Sequence, residues 1–177
     1  MVKDIIVFRY GHRIVRDLRV TTHVCLVSRA LNASKIIIEG FYDKELENTI
    51  SKMNGLWGST FKIEFIENWK QILKEYKDKG YLLVHLTMYG KESYKEIKKI
   101  KNKDKILVIV GSQKVPNEIY EISDYNLSIG NQPHSEIAAL AIFLNKITGD
   151  KKMYSVFKNA KIKIIPNRLN KKVLKLN

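Results

Sequence analysis

Hydrophobic and polar positions alternate along this chain between two spacings, and the alternation predicts an α/β fold. Short unbroken apolar runs of strand length occupy residues 4–10, 35–39, 61–66, 81–88, 105–111 and 126–129. Between them, apolar residues recur every three or four positions. The first such segment, 22–32, carries Val24, Val27 and Leu31, with Thr21 or Thr22 available to cap its start. Further helices are predicted over 43–53, over 68–77 with Trp69, Ile72, Leu73 and Tyr76 turned inward, over 93–101, and over 116–122. Strands with no polar face, joined through helices, predict a parallel sheet covered on both sides.

The stretch 125–144 organises the rest. Its apolar run breaks at Gly130, turns through Asn131 and Gln132, and is expected to re-enter order with Pro133 at a first helical position. Ile137, Ala138, Leu140, Ala141 and Leu144 then form a broad apolar face. A face that wide needs covering, and a second subunit would do it. Residues 1–149 are read as one domain. Residues 150–177 form a basic extension, with short strands at 160–165 and 172–176 expected to pair as a hairpin.

Charge narrows the partner. The 177 residues carry a net charge of +14, which favours a polyanion such as nucleic acid over a merely solvated lysine-rich surface. Five of the six arginines, Arg9, Arg13, Arg16, Arg19 and Arg29, lie in the first 29 residues, and guanidinium groups can grip phosphate with two parallel hydrogen bonds. The extension from 151 onward has nine basic residues and no acidic one. It can touch nucleic acid, or pack on the protein and show its lysines to water. A single cysteine, Cys25, excludes an intramolecular disulfide, and no metal-ligand spacing is visible. With no apolar run of membrane-spanning length and no leader at the start, a soluble cytoplasmic protein is expected.

In parallel sheets ligands bind beyond the carboxyl ends of strands. Three loops qualify there: 85–90 (HLTMYG), 111–116 (GSQKVP) and 129–136 (IGNQPHSE). No glycine-rich dinucleotide fingerprint or phosphate-binding P-loop is present. A nucleoside triphosphate is not the expected ligand.

Taken together, RYGHRIVRDLRVTTHV at 9–24, VGSQKVP at 110–116 and SIGNQPHSEIAALAIFL at 128–144 resemble the SPOUT methyltransferases, and within them the archaeal tRNA (cytidine(56)-2'-O)-methyltransferase family. The resemblance implies a homodimeric enzyme that uses S-adenosyl-L-methionine to methylate the ribose 2'-hydroxyl of a T-loop cytidine in tRNA. It also implies a trefoil knot near the carboxyl end, with the cofactor bound in it. The implied cofactor residues are Leu86, then Gly111, Ser112, Gln113, Lys114 and Val115, then Ile129, Gly130, Asn131, Gln132, Pro133, His134, Ser135 and Glu136. Gln113 stands where the family often has an acidic residue.

The resemblance places catalysis in the amino-terminal cluster, acting on the partner subunit's cofactor. Arg19 is the first candidate, Arg16 or Arg13 would hold a phosphate, and His23 is the alternative base. Arginine is a poor base, so Arg19 can instead orient the hydroxyl and stabilise the developing alkoxide. Plainer roles stand beside these. His23 can cap a helix start, Arg9 or Asp17 can form a structural ion pair, and His85 reads as a satisfied core histidine. His134 suits backbone-level contact, Cys25 and Trp69 read as core, and the lysines of 91–105 as solvated surface. Two other functions fit the same residues: a non-catalytic basic RNA-binding module, or a methyltransferase for another tRNA position.

Overall fold

A computed structural model describes residues 4–112 and 114–176. Six strands, β1 (Asp4–His12), β2 (Lys35–Gly40), β3 (Lys62–Ile66), β4 (Leu82–Glu92), β5 (Lys105–Gly111) and β6 (Tyr125–Ser128), form one sheet in the order β3-β2-β1-β5-β4-β6. Every neighbouring pair runs parallel. The unbroken apolar runs are explained by burial on both faces. Ile5, Val7, Ile36, Ile38, Val108 and Val110 face one layer, while Ile6, Phe8, Ile37, Leu107 and Ile109 face the other.

The first layer is built from α1 (Ile14–Ala30), α2 (Lys44–Trp57), α4 (Ser93–Ile100) and α6 (Glu136–Thr148), and the second from α3 (Trp69–Asp78) and α5 (Asn117–Ile122). Asp43 and Asn68 cap α2 and α3 by accepting from Leu46 N and Gln71 N.

Three local expectations are corrected. Helix α1 begins eight residues before Thr22, so neither Thr21 nor Thr22 caps it, and His23 lies mid-helix. Its first turn is fastened by Asp17, which accepts from Arg13 N at 3.2 Å and Arg13 Nε at 2.8 Å. Thr22 instead donates back to Leu18 O at 2.8 Å. Helix α6 begins at Glu136 rather than Pro133, with Ser135 as its cap accepting from Ile137 N. The apolar face of α6 is largely covered within the chain, because Ala139, Leu140, Phe143, Leu144 and Ile147 are buried. Only Ala138 and Ile142 remain exposed on it.

Strand β4 runs past its expected end at 88 and pairs with β6 on both sides of a bulge. Leu127 of β6 is the register partner of both Leu86 and Lys91, and the 87–90 segment bows out between them. The tight place is Gly90: a Cβ there would come within 2.5 Å of the backbone of Asn126 and Leu127. Beyond the short helix α7 (Asp150–Met153), strands β7 (Ile162–Ile164) and β8 (Val173–Lys175) form the expected antiparallel hairpin. Lys161 N donates to Leu56 O at 2.9 Å, and Arg29 stacks on Phe157, so the extension is held against the end of α2 in its own chain.

Candidate active site

The three loops singled out in the sequence converge on one cleft of about 930 Å³ at the carboxyl end of β4, β5 and β6. Leu86, Val115, Ile129 and Ala139 give it apolar walls; Lys114, Gln132, His134, Ser135 and Glu136 give it polar ones. Gly111 and Pro133 complete the shared rim, and Thr87, Met88 and Tyr89 line it from the bowed segment of β4. Gly130 and Asn131 belong to the turn but do not line the cleft, and Gln113 lies outside the described residues. Ser112 points elsewhere, donating to Gly11 O and so tying the end of β5 to β1.

Residues 129–135 are held by His134, whose ring nitrogens meet the carbonyls of Ile129 and Ser135. Besides Ala139, two lining residues, Asn117 and Tyr120, were not anticipated. Their spacing of three on the helix that follows GSQKVP is the signal that could have found them. The Tyr120 hydroxyl is 2.9 Å from Thr87 Oγ1, and its ring meets His85 edge-on at 4.7 Å. Asn126 Nδ2 donates to Tyr120 O, which aims its Oδ1 at His85 Nδ1, 2.9 Å away. His85 is therefore protonated at Nδ1; it is buried yet lines the cleft, and burial holds it below the usual histidine range.

Beneath the cleft lies a buried polar network. Arg9 is wholly buried, and its Nε donates to Thr21 Oγ1 at 2.9 Å. The Thr21 hydroxyl also lies 2.9 Å from His12 Nδ1, and the other ring nitrogen of His12, Nε2, faces Asp43 Oδ2 at 3.4 Å. Burial lowers His12 from its ordinary value, with Asp43 opposing. Burial likewise lowers Arg9, opposed chiefly by the Glu136 carboxylate at the cleft.

Arg16, Arg19 and His23 follow one another at spacings of three and four along an exposed face of α1. None of them lines the cleft of its own chain. Arg13 is engaged with Asp17, whose carboxyl it holds below the usual carboxylate range through their hydrogen bond. Among the described residues no cluster of three His, Cys, Asp or Glu is arranged to hold a metal ion, and no helix is long and apolar enough to cross a membrane.

Comparison with known proteins agrees with this geometry. Among solved structures, an RNA 2'-O ribose methyltransferase aligns with a TM-score of 0.61 at 14% identity, covering 83% of this chain and 56% of that one. The A. aeolicus TrmH/SpoU tRNA modifying enzyme aligns at 0.62 and 18% identity, covering 82% and 74%. Both share the fold. At the level of sequence, the tRNA (cytidine(56)-2'-O)-methyltransferase of Thermococcus kodakarensis is 48% identical over 99% of both chains. That of Methanocaldococcus jannaschii is 48% identical over 96% of this chain and 95% of its own. The family profile described as tRNA ribose 2'-O-methyltransferase, aTrm56, matches residues 57–174. From the matched profile and from relatives aligned almost end to end, this chain belongs to the aTrm56 family of tRNA ribose 2'-O-methyltransferases.

Proposed function

We propose that this protein methylates the ribose 2'-hydroxyl of cytidine 56 in the T-loop of tRNA, with S-adenosyl-L-methionine as donor, in the cytoplasm and as a homodimer. The observation that carries the reading is the convergence of three separate loops on one cleft. Its volume of about 930 Å³ is that of a small-molecule site, and its mixture of apolar wall and polar rim suits a nucleoside joined to an amino acid. Bound there, S-adenosyl-L-methionine supplies an electrophilic methyl group.

The chain's own part is to hold and orient. Leu86, Val115, Ile129 and Ala139 supply apolar contact, and His134 keeps residues 129–135 in one conformation. Arg19 orients the ribose hydroxyl and stabilises the oxyanion it becomes, while Arg16 grips an adjoining phosphate and His23 is the alternative proton acceptor. That all three are exposed on α1 and none lines the cleft of its own chain supports action across a dimer. Exposed Ala138 and Ile142 on α6, packed beside α1, supply apolar surface for the contact. The knot belongs to the same reading.

The test is incubation of the protein with unmodified tRNA transcript and methyl-labelled S-adenosyl-L-methionine, followed by nucleoside analysis. Label is expected in 2'-O-methylcytidine from the T-loop. Label in another nucleoside moves the target; tRNA binding with no label leaves a non-catalytic RNA-binding protein.

A further inference from the structure

The loop between β2 and α2 turns two neighbouring aromatic side chains to water: Phe41 is 75% exposed and Tyr42 56%. Apolar residues scattered singly over a surface need no explanation, but two adjacent rings on a fixed loop offer a face for stacking. The loop is fixed on several sides. Gly11 N donates to Glu39 Oε2 at 2.8 Å, Gly40 pairs with His12 in the β1–β2 register, and Asp43 both caps α2 and faces His12 Nε2 at 3.4 Å. The Tyr42 hydroxyl donates to Glu47 at 2.6 Å, and its ring meets Phe65 edge-on at 5.3 Å.

Its position matters as much as its rigidity. Because β2 neighbours β1 and β1 neighbours β5, the loop lies on the same carboxyl edge of the sheet as the cleft, two strand spacings or about 10 Å from β5. Helix α1 starts from the strand between them, carrying exposed Arg16 and Arg19.

We propose that Phe41 and Tyr42 form a stacking step for an unpaired RNA base flanking the methylated nucleotide; this rests on the functional reading above. Loop RNA splays its bases, and aromatic side chains take them by stacking, whatever the base. The charge of +14 and the nearby arginines favour RNA over a protein partner. Local charge also sets the direction. Glu45 and Glu47 on the first turn of α2 outweigh Lys44 and repel phosphate, so the RNA backbone runs on the arginine side and the base turns toward Phe41.

Titration of tRNA binding against salt, for wild type and for Phe41→Ala, Phe41→Leu and Phe41→Trp, tests this, together with S-adenosyl-L-methionine binding and sedimentation. The alanine and leucine variants are expected to bind tRNA roughly tenfold more weakly. Tryptophan should restore affinity. The slope of log affinity against log salt should stay as in wild type, since no phosphate contact is removed, and cofactor binding should be unaltered. Wild-type affinity in Phe41→Ala, or a leucine variant as good as phenylalanine, overturns the stacking step. So does weakened binding that follows dissociation of the dimer, which would assign the patch to a protein contact. If wild type itself neither binds nor methylates tRNA, the functional reading falls and the step with it; if wild type is active and the variants match it, the step alone falls.

Discussion

Nη1 of Arg9, in the interior of β1, lies 3.6 Å from Oε1 of Glu136, in the first turn of α6. The separation is that of an ion pair rather than a hydrogen bond, and among the described residues Nη1 and Nη2 of Arg9 have no hydrogen-bond partner. Glu136 keeps partial contact with water; Arg9 has none.

The two ends of this pair should therefore respond unequally. Glu136→Ala strands a buried cation and is expected to cost about 2–3 kcal/mol of stability, whereas Arg9→Met, which removes the cation, should cost less than about 1.5 kcal/mol. Chemical denaturation of both single variants and the double variant measures the coupling, expected above about 1 kcal/mol. Additive single effects would show that the two residues do not interact.

Arg19→Ala should abolish methyl transfer while leaving S-adenosyl-L-methionine affinity within about twofold, because Arg19 lies outside the cleft of its own chain. Single-turnover rates and calorimetric titration separate the two quantities. A variant with full turnover removes Arg19 from the mechanism.

Gly90→Ala places a methyl group 2.5 Å from the backbone of Asn126 and Leu127. Backbone cannot rotate aside as a flexible side chain can, so β4 must move off β6. A loss of about 1–3 kcal/mol is expected by thermal or chemical denaturation, together with weaker cofactor binding, since the same segment lines the cleft. Unchanged stability would mean that Gly90 does not approach the backbone of β6 this closely.

Stability should fall with acidification below about pH 6.5, the ordinary histidine value. Burial lowers both His12 and His85 in the folded protein, so the unfolded chain binds more protons as the pH drops through that value. The contribution is complete above the unfolded-state value and is lost as pH falls toward the folded-state values. Melting temperatures from pH 8 to pH 5, with ring proton shifts of the two histidines, check it. Rings that titrate freely in the folded protein near pH 6.5 would contradict their burial.

Much of this architecture was legible in local pattern. The apolar runs at 35–39 and 105–111 needed only to be recognised as strands buried on both faces, and Ile36, Ile37, Ile38, Leu107, Val108 and Ile109 are all fully buried. Loop residues Leu86, Val115, Ile129 and His134 could be proposed as one site because strand ends of a parallel sheet share an edge. The beginning of α1 was less legible. The 13–21 segment shows little apolar periodicity, since Arg13, Arg16 and Arg19 serve surface or ion-pair roles while Thr21 is buried for its hydrogen bonds rather than for apolar contact.

Sequence by itself determined the order of strands and helices, the basic character of the chain and the loops available for chemistry, because these follow from burial period, formal charge and backbone preference. Tertiary structure decided which polar groups meet. Arg9 reaches Glu136 across 127 positions, His12 reaches Asp43, and Arg19 is exposed without lining the cleft of its own chain. Periodicity records whether a side chain leaves water, but the partner it finds there depends on how distant strands and helices are stacked.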